Sequence, residues 1–322
     1  MTSGFPDGTG DAGGHCLVVG GDSMIGRVLA GTLDGAEAGR VFTTTRRPAT
    51  TGERRLHLDL GDPGTWDAAL ARPWSSAILC AAMARLDACH ADPEAAMRIN
   101  AHGPVALAAA LAARGCYVVL LSTNQVFDGR LPSPLPETPV SPTTAYGRSK
   151  AEAERGVIAL AGRPGMTTPG VLRLSKVVEP GMPLLAGWID RLRRGDEVLA
   201  ARDMSLAPLP VAQVVEALRR MSGRRTAGIV QLASAAEISY VEAARHVARR
   251  IGASPVLVRP VDSVAAGFLK DQPPLHTLMD GDRATAELGI LPLDPFETLD
   301  HCIAPLLEPP YAGSRAGGGL DR

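Results

Sequence analysis

The sequence has few aromatic residues and almost no excess of charge of either sign. Aromatics make up 4% of 322 residues, so the core must be built mainly from Ala, Val, Leu and Ile. The 33 basic and 34 acidic side chains give a formal net charge of −1. This balance argues against binding to nucleic acid or to a membrane surface through bulk charge.

Long apolar runs are also missing. None approaches the roughly 18 residues that a membrane-spanning helix needs, and residues 1–14 lack the apolar segment of a signal peptide. The five cysteines, at positions 16, 80, 89, 116 and 302, include no CxxC pair and no second Cys/His pair at ligand spacing. We therefore expect a cytoplasmic protein with reduced thiols and without a metal site.

What the sequence does contain is an alternation of short β-type runs and helical stretches, between ends predicted to be disordered at residues 1–14 and 308–322. Several runs are continuously apolar, as strands buried on both faces are. The pattern predicts an α/β fold with a doubly wound parallel sheet. The predicted strands are CLVVG, RVFTTT, RRLHLDL, SAILCAA, CYVVLLS, GVLRLS and GIVQLAS.

Helix-start signals separate several of these runs. Asp92 followed by Pro93 predicts a capped helix that runs to about Arg114, and Ser239 with Glu242 predicts a capping box. Beyond residue 176, Pro-rich pieces interrupt the alternation. We predict a dinucleotide-binding domain over residues 15–175. A smaller substrate-binding lobe over 176–307 is expected to be interleaved with the last strands of the sheet.

The first predicted strand ends in a glycine-containing loop. Gly20, Ser23 and Gly26 lie three residues apart, where a dinucleotide-binding turn needs small residues between strand and helix. A helix that begins here would direct its free N–H groups at a pyrophosphate. A βα turn without a ligand would have a similar sequence. The predicted cofactor contacts of this loop are Gly20, Asp22, Ser23, Met24, Ile25 and Gly26.

The second predicted strand ends in Arg46 and Arg47 rather than in an acidic residue. Arginines suit the 2′-phosphate of NADP(H), so we favour NADP(H) and keep NAD(H) open. A solvated basic turn is the alternative for either arginine. Further cofactor contacts are predicted where the third, fourth and fifth strands end, at Asp59, Leu60, Ala81, Ala82, Met83 and Ser122.

Tyr146 and Lys150 lie four residues apart on a predicted helix and therefore share a face. A nearby ammonium stabilises a phenolate and would lower its pKa, and the lysine could also bind the nicotinamide ribose. A surface Tyr–Lys pair at this spacing is common, and the pair alone would favour that interpretation. Thr123 ends a strand at the ligand-binding edge of such a sheet, where it could hydrogen-bond the oxygen that Tyr146 protonates. Asn100 could relay protons through a water or a helix kink, or only pack.

With these residues in place, the chain resembles an extended short-chain dehydrogenase/reductase. It is most similar to the dTDP-4-dehydrorhamnose reductase group within that superfamily. The similarity covers about residues 14–306. It is carried by CAAMARLDACHADPEAAMRINAHGPVALA, STNQVFDG, SPTTAYGRSKAEAE, LRLSKVV and MDGDRATAELGI.

The resemblance implies reduction of a nucleotide-linked 4-keto-6-deoxy sugar. Tyr146 would donate the proton, Lys150 would lower its pKa and hold ribose, and Thr123 would polarise the carbonyl. It also suggests a homodimer, by analogy alone. An epimerase that retains NAD and a cofactor-binding regulatory subunit without turnover are the alternatives.

Several residues depart from the family pattern or are predicted to contact substrate. Asn124 and Gln125 stand where related dehydratases carry Asp-Glu, and neither amide exchanges protons near neutrality, which argues against dehydration. Lys176 replaces a frequent Trp and suggests an anionic group on the substrate, or a lysine that only reaches solvent. Arg202, with Asp203 beside it, could contact the nucleotide, and Arg85 could line the pocket. Surface charge explains these residues as well.

Overall fold

The computed structural model describes residues 14–36, 39–268 and 273–307. The ends predicted to be disordered lie outside these residues, apart from Gly14. The strands are β1 Cys16–Val19, β2 Val41–Thr45, β3 Arg55–His57, β4 Ser76–Leu79, β5 Tyr117–Thr123, β6 Gly170–Leu174, β7 Lys176–Val178, β8 Val198–Ala201, β9 Ser205–Leu206, β10 Pro208–Pro210, β11 Gly228–Leu232, β12 Ile238–Ser239 and β13 Val258–Val261.

Helices separate most of these strands, as right-handed crossovers between parallel strands require. They are α1 Met24–Ala36, α2 Asp67–Leu70, α3 Leu86–Ala91, α4 Pro93–Met97, α5 Gly103–Ala112, α6 Ala145–Ile158, α7 Pro183–Arg193, α8 Val211–Arg224, α9 Tyr240–Arg250 and α10 Pro295–Leu307. Within the described residues, no helix is both long and apolar enough to cross a bilayer.

The seven predicted strands form one sheet in the order β11-β6-β5-β4-β1-β2-β3, and every neighbouring pair is parallel. The chain leaves β1 toward β2 and β3, then returns to β4 and builds the other half. The strand order therefore reverses between β1 and β4, which is where such sheets bind ligands. The prediction of a doubly wound parallel sheet is confirmed.

Both faces of the sheet are covered by helices. Leu29 of α1 and Leu218 of α8 belong to the hydrophobic cluster on one face, and Leu111 of α5 and Val157 of α6 belong to the cluster on the other. A third cluster lies among α7, α9 and α10, and includes Trp188. The C-terminal elements thus enclose an apolar core of their own, beside the one that the sheet organises.

The predicted helix starts are confirmed, with one interruption. Asp92 Oδ1 accepts a hydrogen bond from Ala95 N at 2.8 Å, and Ser239 forms the capping box with Glu242. The helix after Asp92 is not continuous, however, because a π-helical segment, Arg98–His102, separates α4 from α5. One extra residue per turn in that segment re-aims the side chains that follow.

The third strand ends earlier than the sequence predicts. It stops at His57, opposite Thr45, where its partner β2 also ends. Asp59 instead opens a turn, in which its Oδ1 accepts a hydrogen bond from Gly61 N at 2.8 Å. Asp59 and Leu60 therefore follow the strand rather than end it, because an edge strand cannot extend beyond its only neighbour.

Candidate active site

The loop after β1 has a conformation that only glycine accepts at Gly20. Its φ is +94°, and a Cβ added there would lie 2.6 Å from Ala81 N, two residues beyond the end of β4. Ala81 N also donates to Val19 O at 2.9 Å. The backbones that leave β1 and β4 thus meet at the point where the strand order reverses.

The side chain of Ser23 joins the two ends of this loop by hydrogen bonds. Its Oγ donates to Gly20 O at 2.8 Å and accepts from Gly26 N at 3.0 Å. A Cβ on Gly26 would lie 2.2 Å from Gly20 O, so the helix can approach the strand only with glycine here. Helix α1 begins at Met24 directly behind the loop, with its positive end toward it. These features fit a dinucleotide pyrophosphate at the helix N-terminus.

A basic cluster surrounds Asp22 beside this loop. Asp22 Oδ2 accepts from Thr45 Oγ1 at 2.8 Å, and Oδ1 forms ion pairs with Arg55 and, at 3.4 Å, with Arg47. Burial opposes ionisation, yet Thr45 and then the two arginines hold the pKa of Asp22 below its ordinary value. Arg46 is exposed. Sequence reasoning missed Arg55, which only the pairing of β2 with β3 brings to this loop.

Asn100 fixes the segment after β4. Its Oδ1 accepts from Met83 N at 2.7 Å, and its Nδ2 donates to Met83 O at 2.9 Å and to Ser149 Oγ at 3.1 Å. Ser149 Oγ in turn donates to Tyr146 O at 2.8 Å. The π-helical segment therefore directs Asn100 into a bridge between the predicted cofactor residues 81–83 and the helix of Tyr146.

Helix α6 carries the predicted proton donor. It begins beyond Thr144, whose Oγ1 accepts from Gly147 N at 2.9 Å, so Tyr146 lies in the first turn and Lys150 one turn later. Lys150 is 3% exposed, and burial lowers its pKa to about 8, although Glu154 opposes that shift. The lysine is therefore mostly charged at neutral pH.

Tyr146 differs from expectation in the direction of its pKa. Burial raises the pKa of this half-buried phenol to about 12, and nearby Cys89 adds to the rise. The predicted lowering by Lys150 is absent: loss of hydration is the main cause of the shift, and Lys150 makes no contribution to it. A phenol with a raised pKa stays protonated at neutral pH, a state that suits a proton donor.

Thr123 is buried at the end of β5. Its Oγ1 accepts from Gln125 N at 3.2 Å and donates to Asn124 Oδ1 at 3.3 Å. Gln125 Oε1 accepts from Thr144 Oγ1 at 3.3 Å, which ties the turn after Thr123 to the first turn of α6. The side chain of Ser122 is also buried, and its Oγ has no hydrogen-bond partner among the described residues.

The predicted basic substrate contacts lie at the surface. Arg85 forms an ion pair with Asp87 at 2.6 Å, and Arg202 forms one with Asp262 at 2.8 Å. Lys176 is exposed at the start of β7. Local partners thus account for the two arginines, whereas the ammonium of Lys176 is accessible to an anion.

A second group of residues near Thr123 was not predicted. Asn124 Nδ2 donates to Thr277 O at 3.1 Å, across 153 residues of sequence. Glu237 Oε2 accepts from Thr277 N at 2.7 Å, and Glu237 Oε1 lies 2.6 Å from His276 Nδ1. No local motif in the sequence marks these contacts, because each joins segments that only the tertiary fold brings together.

The site and fold together define a dinucleotide-binding α/β protein with the Tyr–Lys helix of short-chain dehydrogenases/reductases. The family model described as RmlD substrate binding domain matches residues 14–307, and the chain belongs to this family. The resemblance inferred from the sequence is confirmed.

Similar proteins include reductases of dTDP-linked sugars. A dTDP-4-dehydrorhamnose reductase from Streptomyces griseus is 30% identical over 86% of this chain and 88% of the relative. A dTDP-4-keto-6-deoxy-D-glucose reductase from Streptomyces niveus is 30% identical over 90% and 96%. The solved dTDP-4-dehydrorhamnose reductase from Bacillus anthracis, in complex with NADP, has a TM-score of 0.78 at 20% identity. The match covers 91% of this chain and 99% of the Bacillus anthracis chain.

Proposed function

We propose that this protein is an NADPH-dependent reductase that acts on the keto group of a dTDP-linked 4-keto-6-deoxy sugar. The main support is that a half-buried, protonated Tyr146 and a buried Lys150 lie one turn apart on α6, a helix that packs against β5 and the turn that follows Thr123. The relatives from Streptomyces support the class of sugar nucleotide.

The side chains divide the chemistry as follows. A bound nicotinamide supplies the hydride. Tyr146 would donate the proton to the oxygen that the ketone becomes, and Thr123 would hydrogen-bond the same oxygen. Lys150, one turn later on the same helix, would hold the nicotinamide ribose and supply the positive charge that favours the phenolate as the proton leaves. The side chains of Asn124 and Gln125 bond to Thr277 and Thr144 and offer no acid–base pair for dehydration.

The proposed contact with the 2′-phosphate of NADP(H) involves Arg46 and Arg47, together with Arg55. Arg47 is 68% exposed and interacts with Asp22 only at 3.4 Å, so it can turn toward a phosphate without losing a strong partner. Asp22 is bound by Thr45 and could instead accept a bond from a ribose hydroxyl of NAD(H). We therefore propose a preference for NADP(H), not exclusive use of it.

The sugar nucleotide is proposed to lie between the carboxyl edge of the sheet and the C-terminal lobe. Lys176 is accessible at the start of β7, the first strand after the sheet strand β6. We propose that its ammonium binds an anionic group of the substrate, with Arg202 and Arg85 as more distant contacts. Residues 176–307 would then supply most of the substrate specificity.

The function is tested by NADPH oxidation with dTDP-4-keto-6-deoxy-D-glucose and dTDP-4-dehydrorhamnose as substrates. Tyr146→Phe should lower kcat by about 10² to 10⁴-fold, because it removes the general acid and little else. NADPH binding, measured by fluorescence, should persist in this variant. Full activity of Tyr146→Phe would contradict the proposed role, and a folded wild type that oxidises NADPH with neither sugar would contradict the proposed function.

The cofactor preference has its own test. Arg46→Ser with Arg47→Ser should raise the KM for NADPH by about tenfold, the equivalent of roughly 1.4 kcal/mol, and leave the KM for NADH unchanged. Arg155→Ser is the matched control, since Arg155 is an exposed arginine paired with Glu152 on α6. Equal changes in both cofactor KM values would mean that the arginines do not read the 2′-phosphate.

A further inference from the structure

A segment of the C-terminal lobe is bonded along the loop that follows Thr123. We call residues 273–280 the strap. His276 N donates to Gly129 O at 2.9 Å, and Asp280 N donates to Pro134 O at 3.1 Å. Between these points Thr277 O accepts from Asn124 Nδ2 at 3.1 Å. The strap therefore forms one wall of the turn that holds Thr123, although it lies more than a hundred residues away in sequence.

Glu237 organises the strap. Its Oε2 accepts from Thr277 N at 2.7 Å, Leu278 N at 3.0 Å and Ser205 Oγ at 3.2 Å. Its Oε1 lies 2.6 Å from His276 Nδ1, and because an ionised carboxylate can only accept, Nδ1 carries the proton. Burial opposes the charge, but these bonds outweigh it and hold the pKa of Glu237 below its ordinary value. Both oxygens of the ionised carboxylate thus accept hydrogen bonds, Oε1 from one donor and Oε2 from several.

The orientation of Asn124 follows from the strap. Because Thr277 O is an acceptor, Asn124 must present Nδ2 to it and Oδ1 to the other side. Asn124 Oδ1 then accepts from Thr123 Oγ1 at 3.3 Å, a long bond that a better acceptor could replace. The hydroxyl of Thr123 also accepts a hydrogen bond from Gln125 N. One of its two partners is therefore a backbone N–H, and the other, Asn124 Oδ1, is oriented by a backbone carbonyl.

We propose that Glu237, with His276, is a positioning residue for the reduction, acting through Thr277 and Asn124 on the hydroxyl of Thr123. The inference rests on the proposed reductase function, because Thr123 matters only if it binds the reacting oxygen. Among the described residues, Glu237 forms no hydrogen bond with Thr123 or Asn124. It fixes the carbonyl of Thr277, this carbonyl fixes the amide of Asn124, and the amide leaves the Thr123 hydroxyl with one replaceable bond.

A purely structural carboxylate would have a different signature. Removing such a carboxylate would lower the stability of the protein and would weaken the binding of cofactor and of sugar to a similar extent. A positioning residue instead changes kcat for the ketosugar while the Kd for NADPH stays constant, since in the described structure the loop of residues 20–26 has no hydrogen bond to the strap. Displacement of a reacting group by about 1 Å lowers rates by up to about a hundredfold.

The experiment measures kcat and KM for dTDP-4-keto-6-deoxy-D-glucose, with the Kd for NADPH, in full-length wild type and variants. Glu237→Gln should lower kcat by about tenfold to a hundredfold with an unchanged Kd for NADPH. His276→Leu, which removes the donor, should lower kcat in the same direction. His276→Asn should restore activity to within about threefold of wild type, because the amide nitrogen of Asn occupies the place of Nδ1.

A double-variant cycle separates the proposed relay from independent damage. If Glu237 acts through Asn124, Glu237→Gln combined with Asn124→Ala should be no slower than Asn124→Ala alone. Losses that multiply would overturn the inference, as would a folded Glu237→Gln variant with kcat within about twofold of wild type. If Glu237→Gln does not fold, the contrast between His276→Leu and His276→Asn decides. A wild type inactive on all ketosugars overturns the proposed function and this inference with it.

Discussion

The two ends of the candidate site are built in different ways. At the cofactor end, Ser23 bonds to Gly20 and Gly26 within one seven-residue segment, which the neighbouring strand β2 supports through Thr44 and Thr45. At the substrate end, Asn124 is held by Thr277, and Thr277 by Glu237, so three distant segments must meet. The turn at the cofactor end is therefore closed mainly by bonds within one short segment, whereas the substrate end depends on bonds between distant segments.

This difference has a functional consequence. Damage to the loop after β1 should affect cofactor binding whichever ketosugar is offered. Damage to the C-terminal lobe should change turnover of the ketosugar and leave the cofactor loop intact. Lys150 lies between the two ends, on a helix that contacts both the Asn100 bridge through Ser149 and the turn of Gln125 through Thr144.

Among the variants that separate the two ends, the largest effect is expected at the cofactor end, for Gly26→Ala. The added Cβ would lie 2.2 Å from Gly20 O, a backbone atom that cannot yield without moving the loop. We expect the Kd for NADPH, measured by fluorescence titration, to rise by about a hundredfold, and the free energy of unfolding to fall by about 1–3 kcal/mol.

Gly31→Ala is the matched control on the same helix. In the described part of the chain, a Cβ at Gly31 meets no atom within 4 Å beyond its own turns of helix, so the substitution removes only the backbone freedom of a helical glycine. It should stabilise the protein by about 0.5–1 kcal/mol and leave NADPH binding unchanged. Unaltered NADPH affinity in Gly26→Ala would contradict the assignment of this loop to cofactor binding.

The same contrast explains what could be predicted from the sequence. Strands buried on both faces, helix caps and the loop of Gly20 leave local patterns, and the seven strands of the sheet were all predicted. The set of Thr123, Tyr146 and Lys150 came from local spacing and family resemblance, and its catalytic role stays a prediction.

What was missed depends on long-range contacts. The end of β3 is set by the length of β2, and the position of Arg55 by the pairing between them. The pKa of Tyr146 was predicted in the wrong direction, because spacing shows the proximity of a lysine and not the burial of a phenol. Glu237 and His276 lack any motif, since their roles exist only after the strap meets the turn of Asn124.

A smaller effect is expected from titration of Lys150. Burial lowers its pKa to about 8 from an ordinary 10.5, so between these values the unfolded chain binds more protons than the folded one. Stability attributable to this group therefore rises with pH across that window, and at lower pH the buried charge is destabilising. The free energy of unfolding of wild type, relative to Lys150→Met, should rise by about 1 kcal/mol from pH 7 to pH 9.

The difference between the two proteins is the quantity to measure, by urea unfolding at each pH. Buried cysteines whose pKa is raised by burial, among them Cys116, titrate in both proteins, and their contributions cancel in the difference. A difference that stays flat would mean that Lys150 keeps its ordinary pKa. Lys150 would then not be a buried, titratable group between the two ends of the site.

The smallest effect is expected at the outer margin of the substrate end. Arg202 is exposed and paired with Asp262 at 2.8 Å, so its charge is shared and screened by water. Arg202→Ala should raise the KM for the dTDP-ketosugar by about threefold and leave the Kd for NADPH unchanged. Asp262→Asn, which releases the guanidinium, should instead lower that KM, because a freed arginine attracts the diphosphate more strongly. Opposite shifts in this KM would mean that Arg202 contacts the substrate. Shifts in the same direction would mean that the substrate contacts do not reach beyond Lys176 and the strap.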